Sequence, residues 1–415
     1  MASAPAPPPA ADAQAHTRDA AHVRVFARTD VGRTREHNED AYLVADLADA
    51  LPLAFEGPGA APHAFVARGG ALFLVADGLG GAAAGEVASH LATHAALEAL
   101  RAALPDAAND PTRFATALRD AVLAANASIH RAATERADLR GMGTTLTAAA
   151  LLGPALYLAQ VGDSRAYLLR DGAAHQLTKD QSLVQRLVDA GELTPEQAET
   201  SARRNIILQA LGADSSVKVD VTRQALRRGD LLLLCSDGLS GQVRAAEIAA
   251  SAAAAADLDA FCDALVDRAN DTGGPDNITV VAARFEGDAL PGPDDAGDAA
   301  DVGRHTFAVP PVPGADATPV TSDAPRPLAV GDLARGLRPG AGGVPLFVVR
   351  GADGAVDGPD DEGEAADAGR GGRTAPGVSA GEVAERRGRV RLVYAALLVL
   401  AASVAAFSLW RLLSA

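Results

Sequence analysis

Three times in this chain a run of apolar residues ends in an aspartate beside a glycine: at Asp77 after Ala71–Ala76, at Asp163 after Ala155–Val161 and at Asp237 after Leu231–Cys235. Runs of this length and makeup read as buried strands, so each acid sits where a strand leaves a sheet. After Asp77 come Gly78, Gly80 and Gly81, which let the backbone turn sharply and approach a ligand closely. A buried carboxylate in such a place is costly without a cation as partner. For any one of these acids taken alone, an Asx-type turn at a strand end is the bland alternative.

The rest of the chain organises itself around these strands. Val23–Arg28 reads as a short strand that runs into a polar stretch, Thr29–Asp40, carrying Arg33, Arg35, Glu36, Glu39 and Asp40. Gly85–Leu104 and Pro111–Thr134 are Ala-rich with leucines and phenylalanine at helical spacing, so they are helices with one core face. His90 and His94 are four apart, but Leu91 stands where a zinc-binding His-Glu-x-x-His helix has its glutamate. A β region covers Gly143–Leu177, with Asp171-Gly172 as a hairpin turn. Gln181–Ala190 and the Thr194-Pro195 cap predict a helical insertion, and Asp276-Asn277 precedes a last strand, Ile278–Phe285. The two cysteines, Cys235 and Cys262, offer neither a disulfide framework nor a zinc quartet and read as small core residues.

Composition bounds the partners. With 37 basic against 53 acidic residues and a net charge of -16, a nucleic-acid-binding surface is not expected. Residues 1–22 read as a disordered lead-in without the features of a secretion signal. From 288 to 390 Pro, Gly, Asp and Ala dominate, which predicts a flexible acidic linker. Residues 391–411 predict a single membrane span: Leu392–Leu409 carries no charge and at about 1.5 Å per residue nearly matches the ~30 Å hydrocarbon layer. The arginines at 386, 387, 389 and 391 place the large N-terminal part on the cytoplasmic side of the cell membrane.

If the acid-tipped strand ends converge, several carboxylates share one site and cannot all stay ionised without cations among them. Oxygen-only ligation favours a hard ion, Mg²⁺ or Mn²⁺. Two such ions would clamp and ionise a bridging water, the arrangement that attacks phosphate esters. An arginine is then wanted for the phosphate oxygens, and Arg35, five residues before Asp40, is the candidate.

Six motifs occur in one order over Val23–Phe285: Arg35-Glu36-His37-Asn38-Glu39-Asp40, Asp77-Gly78-Leu79-Gly80-Gly81, Gly143-Thr144-Thr145, Gly162-Asp163-Ser164-Arg165, Ser236-Asp237-Gly238 and Asp276-Asn277. In this the chain resembles the bacterial metal-dependent serine/threonine phosphatases of the protein phosphatase 2C (PPM) family. The resemblance implies an α+β fold over residues 23–287, a four-layer αββα sandwich of two antiparallel sheets flanked by helices. It implies that Asp77 bridges two metals, that Asp237 and Asp276 complete the ligands of the first metal, and that Glu39 and the Gly78 carbonyl hold the second ion. Asp40 would orient metal-bound water, Arg35 would grip the substrate phosphate, and no phosphoenzyme would form.

The chain departs from the family's pattern in places. Leu79 stands where animal members carry a histidine proposed as general acid. Asp163 matches a ligand of a third, weaker metal site, whose usual acidic companion is Gly241 here. Gln181 and Ser201-Ala202 replace the His and His-Pro of many bacterial relatives. The implied function is removal of phosphate from phosphoserine and phosphothreonine on proteins, opposing a Ser/Thr kinase from a membrane tether. The alternatives are a catalytically silent phosphoprotein-binding scaffold and a hydrolase of small phosphoesters. Intact acids at every position matched to a carboxylate ligand of the two metals argue against the scaffold, since groups so costly to bury serve no purpose without metal.

Overall fold

The computed structural model describes residues 20–48, 51–53, 61–80, 84–295, 297–311, 337–339 and 345–347. By its contacts the chain divides into units 1–350 and 351–415, and every described residue belongs to the first. Residues 1–19 of the predicted lead-in, most of the linker and the span at 391–411 lie outside the described residues, whereas the end of that lead-in is already in the fold, with Ala21 buried and His22 opening the first strand. Among those described, no helix is long and apolar enough to cross a membrane.

The chain opens with strands β1 (His22–Asp30), β2 (Ala41–Asp46), β3 (Leu51–Pro52), β4 (His63–Val66) and β5 (Ala71–Ala76), then the two-residue β6 (Gly78–Leu79). Helices α1 (Ala84–Ala107) and α2 (Pro111–Glu135) follow. Asp110 caps α2 with Pro111 in its first turn, the side chain accepting from Thr112 N and Arg113 N at 2.8 and 2.9 Å. Next come β7 (Gly143–Thr144), β8 (Leu146–Leu152), β9 (Ala155–Val161), β10 (Arg165–Arg170) and β11 (Ala173–Gln176). The helical insertion holds α3 (Leu183–Asp189) and α4 (Pro195–Glu199), the latter closed by a Thr194–Gln197 capping box. Then β12 (Asp220–Ala225) and β13 (Leu231–Cys235), the short α5 (Asp237–Ser240), α6 (Ala245–Ala254), α7 (Leu258–Asp271) and β14 (Ile278–Glu286) complete the fold.

Two six-stranded antiparallel sheets result, ordered β11-β10-β13-β14-β1-β4 and β12-β9-β8-β5-β2-β3. The apolar runs are explained by what covers each face. In β5, Ala71, Phe73 and Val75 point into the core between the sheets, whereas Leu72, Leu74 and Ala76 point toward α1 and α2. In β13, Leu232 and Leu234 join the same inter-sheet core, and Leu231, Leu233 and Cys235 meet α7. A strand covered on both sides must be apolar at every position. The chain is therefore a mixed α+β fold of antiparallel sheets with helices on both outer faces.

Element edges differ slightly from the sequence expectation. Ser182 turns out to cap α3, which starts at Leu183 rather than at Gln181, and the predicted β region from Gly143 is interrupted at Thr145. The larger difference is at the domain boundary. The chain does not leave the fold at residue 287: Leu290 and Ala299 are buried, and Gln224 Nε2 donates to Asp301 O at 3.0 Å. Residues 305–307 then run antiparallel to the edge strand β12, with Arg223 N donating to His305 O at 2.9 Å and Phe307 N to Val221 O at 3.0 Å. Phe307 sets its ring edge-on to Tyr157 at 5.5 Å, and Tyr157 in turn meets Phe114 at 5.5 Å. Arg119 holds the Pro310 carbonyl. Composition hid this strap because its anchors are single residues, set apart by polar ones, that pair mainly through backbone.

Replacing the half-buried Phe307 with Ala is expected to destabilise the fold by about 2 kcal/mol, read as a lower denaturation midpoint in the full chain. An unchanged midpoint would mean that the strap contributes nothing to stability.

Candidate functional site

Antiparallel pairing decides where the acids meet. Asp77 follows the end of β5; β2 runs antiparallel to it with Ala41 opposite Ala76, so Asp40, just before β2, lies at the same end. Strand β9 is two antiparallel steps from β5, which restores its direction and brings Asp163 there too. In the other sheet Cys235 pairs with Val280, so Asp237 after β13 and Asp276 before β14 share one end. The two ends meet, since Ser236 before Asp237 donates its hydroxyl to Asp40 Oδ2 at 2.7 Å. Burial first, then repulsion by Asp40, Asp237, Asp163 and Asp276, raises the Asp77 carboxyl well above the ordinary range.

The neighbours show the same pressure. Asp40 is pushed up to about 7 by burial, against hydrogen bonds from Thr279 and Ser236, with Asp237 and Asp276 adding repulsion. Asp163 also rises to about 7, through burial and then repulsion by Asp237 and Asp180, which Arg165 opposes. Asp237 is raised by burial and by Asp276, while a hydrogen bond to Asp77 and the charges of Arg35 and Arg165 pull the other way. Glu39 is raised mainly by burial, with Arg35 opposing.

The loop 31–40 is pinned by one residue to which the sequence reading assigned no role. Asn277, 4% exposed, accepts from Glu39 N at 2.8 Å and donates to Val31 O and His37 O, each at 2.9 Å. Ser236 is the second such residue: its hydroxyl donates to Asp40 Oδ2 at 2.7 Å and accepts from Thr279 N at 3.0 Å. Both stand in motifs visible in the sequence, but their partners lie 238 and 196 positions away. Gly78 is obligatory for a simpler reason. A Cβ there would lie 2.4 Å from both the Glu39 and Gly85 carbonyl oxygens.

Arg35 does not stand free to receive a ligand. Its Nη2 donates to Asp276 Oδ2 at 2.8 Å, a pair half open to solvent. Arg35, Asp163, Asp237 and Asp276 line one cleft of about 650 Å³, whose far wall comes from α3, α4 and Arg204 of the helical insertion. The Gly241 backbone, at the position matched to the absent acid, also faces this cleft. His90 and His94 are elsewhere, buried in α1, and burial holds His90 uncharged at about 3.

The donor set fits divalent ions. Among the described residues no three of these side chains stand as a closed metal-holding group. Yet buried Oδ1 atoms of Asp40 and Asp237 find no hydrogen-bond partner, and the acids repel one another across a site without histidine or thiol. A hard cation would supply the missing partner to Asp237, and water held by such a cation would supply it to Asp40.

A pH prediction follows from the raised carboxyls. An acid whose folded pKa exceeds its unfolded value stabilises the fold below the unfolded value and loses that contribution as pH rises through the folded one. Protein stripped of metal by EDTA should therefore lose stability between pH 4 and 7, the window from the ordinary carboxyl value of 3.8 to about 7 for Asp40 and Asp163. Excess Mn²⁺ should remove most of that loss in a thermal melt. Flat stability across this range in the stripped protein would contradict the mutual repulsion.

Comparison with known proteins gives a consistent result. The family model described as "Protein phosphatase 2C" matches residues 61–279. The serine/threonine phosphatase stp of Listeria innocua is 38% identical over 260 residues, covering 61% of this chain and 92% of that protein. The crystal structure of the Mycobacterium tuberculosis serine/threonine phosphatase PstP/Ppp is 38% identical with a TM-score of 0.53, covering 64% of this chain and 99% of that one. A PstP catalytic domain in complex with two manganese ions is similar at 38% identity and a TM-score of 0.51, over 64% of this chain and 99% of that one.

Proposed function

This chain belongs to the protein phosphatase 2C family, and we propose that the acid-lined cleft is where it removes phosphate from phosphoserine and phosphothreonine side chains of proteins. It is a metal-dependent protein serine/threonine phosphatase. The observation that carries the assignment of the site is the cluster of buried, mutually repelling carboxylates with two unpartnered oxygens. Asp77 would hold both ions, Asp237 and Asp276 the first, and Glu39 with the Gly78 carbonyl the second, with Asp163 available to a weaker third. When bound, the two ions, Mn²⁺ or Mg²⁺, supply positive charge for the phosphate oxygens and acidify the attacking water.

The chain's own groups do the rest. Arg35 exchanges the Asp276 carboxylate for the phosphate, and its planar fork takes two phosphate oxygens at once. Asp40, fixed through Oδ2 by Ser236, turns its unpartnered Oδ1 toward the water and accepts its proton. Leu79 offers no proton, so solvent in the open cleft protonates the leaving alkoxide. Beyond the catalytic unit, the uncharged Leu392–Leu409 segment after four arginines supports a single span that tethers the enzyme to the cell membrane, facing the cytoplasm. A cognate Ser/Thr kinase is the expected opposing partner.

The test is dephosphorylation of a phosphothreonine peptide by the full chain with Mn²⁺, with EDTA, and with Asp237→Asn. Activity should require metal and fall by about a hundredfold or more in the variant, and Arg35→Lys should lower kcat/KM by about tenfold. The active protein should sediment with membranes. A folded, metal-loaded protein without activity would overturn the proposal.

A further inference from the structure

The turn that carries Asp163 is gripped by a residue of the helical insertion. Gly162 has φ 104°, and a Cβ there would lie 2.6 Å from Thr145 Cγ2, so the turn is seated without slack. Gln181 takes hold of both polar groups of Gly162: its Oε1 accepts from Gly162 N at 2.9 Å, and its backbone N donates to Gly162 O at 2.9 Å. The preceding residue repeats the attachment, since Asp180 accepts from Arg165 Nε and Nη2 at 2.9 and 2.7 Å. The segment that walls the cleft is thus stapled at its root to the turn between β9 and β10.

What fixes the Gln181 amide lies behind it. Its Nε2 donates to Asp220 Oδ2 at 3.3 Å and to Lys218 O at 3.4 Å. An amide must present its oxygen to Gly162 N, and an acceptor-only carboxylate on the other side enforces that orientation. Asp220 is itself approached by Arg304 of the C-terminal strap, Nη2 to Oδ2 at 3.6 Å, and its side chain retains only 19% exposure.

We propose that Gln181 is a positioning residue for the hydrolysis, and that Asp220 and Arg304 orient it. The strap beyond residue 300 thereby becomes part of the catalytic apparatus. This rests on the phosphatase reading, because the turn and insertion it positions form one side of the substrate cleft. Losing the amide frees the Gly162-Asp163 turn and the insertion root together. Losing Arg304 leaves the same parts attached but less constrained.

The experiment uses the full chain with Gln181→Ala, Gln181→His, Arg304→Ala and the Ala/Ala double variant. It reads kcat and KM on a phosphothreonine peptide and amide exchange at residues 162–164 and 183–208. Gln181→Ala should lower kcat by about tenfold and Arg304→Ala by about threefold, the losses expected from one hydrogen bond and from a weaker, partly exposed contact. Exchange at 162–164 should quicken in both. Gln181→His, whose ring nitrogen reaches the same amide, should keep most of the activity. The double variant should be no worse than Gln181→Ala alone, because both act through one link. Additive losses, or a Gln181→Ala variant with wild-type kcat and exchange, would overturn the proposal. If the wild-type protein hydrolyses nothing, the phosphatase reading fails, and the exchange data alone decide whether the link exists.

Discussion

Repulsion among buried and half-buried carboxylates is the constraint on which the rest of the structure depends. Asp40, Asp77, Asp163, Asp237 and Asp276 are brought to one end of the sandwich by the antiparallel order of the strands. No hydrophobic gain accompanies them there, and a fold that gathers such groups is destabilised locally unless cations intervene. The two sheets and their three cores serve as the rigid frame that keeps the acids from moving apart. Function and local instability have the same origin.

The frame is reinforced where the strain is greatest. Asn277 satisfies three backbone groups of the loop that carries Arg35, Glu39 and Asp40, and Ser236 fixes one oxygen of Asp40 while leaving the other open. Arg35 partly neutralises the site through Asp276. A guanidinium held in this way lines the cleft already, and in the proposed mechanism the carboxylate it would release on taking a phosphate becomes free for a cation. These contacts position charge more than they add stability, since an exposed pair such as Arg35–Asp276 contributes at most about 1 kcal/mol.

The fold class and the acids were legible in the sequence because both follow from local pattern. Apolar runs such as Leu231–Cys235 announce strands covered on both faces, and an aspartate at the end of each run is conspicuous. What pins those acids was not legible. The Asn277–Glu39 and Ser236–Asp40 bonds join residues far apart in the chain, and no local pattern encodes such a partner. The strap at 301–310 escaped for a related reason: it attaches by backbone pairing and by Phe307, inside a stretch whose composition predicts a linker. The pairing of Arg35 with Asp276 was hidden too, because it joins residues 241 positions apart.

Because burial and repulsion raise the Asp40, Asp77, Asp163 and Asp237 carboxyls, metal binding should displace protons from them. Calorimetric titration of the EDTA-stripped full chain with Mn²⁺ at pH 6, in two buffers of different ionisation enthalpy, counts those protons. The account predicts release of about two protons per protein, diminishing toward pH 8 as Asp40 and Asp163 ionise before metal arrives. Binding of Mn²⁺ without proton release at pH 6 would contradict it.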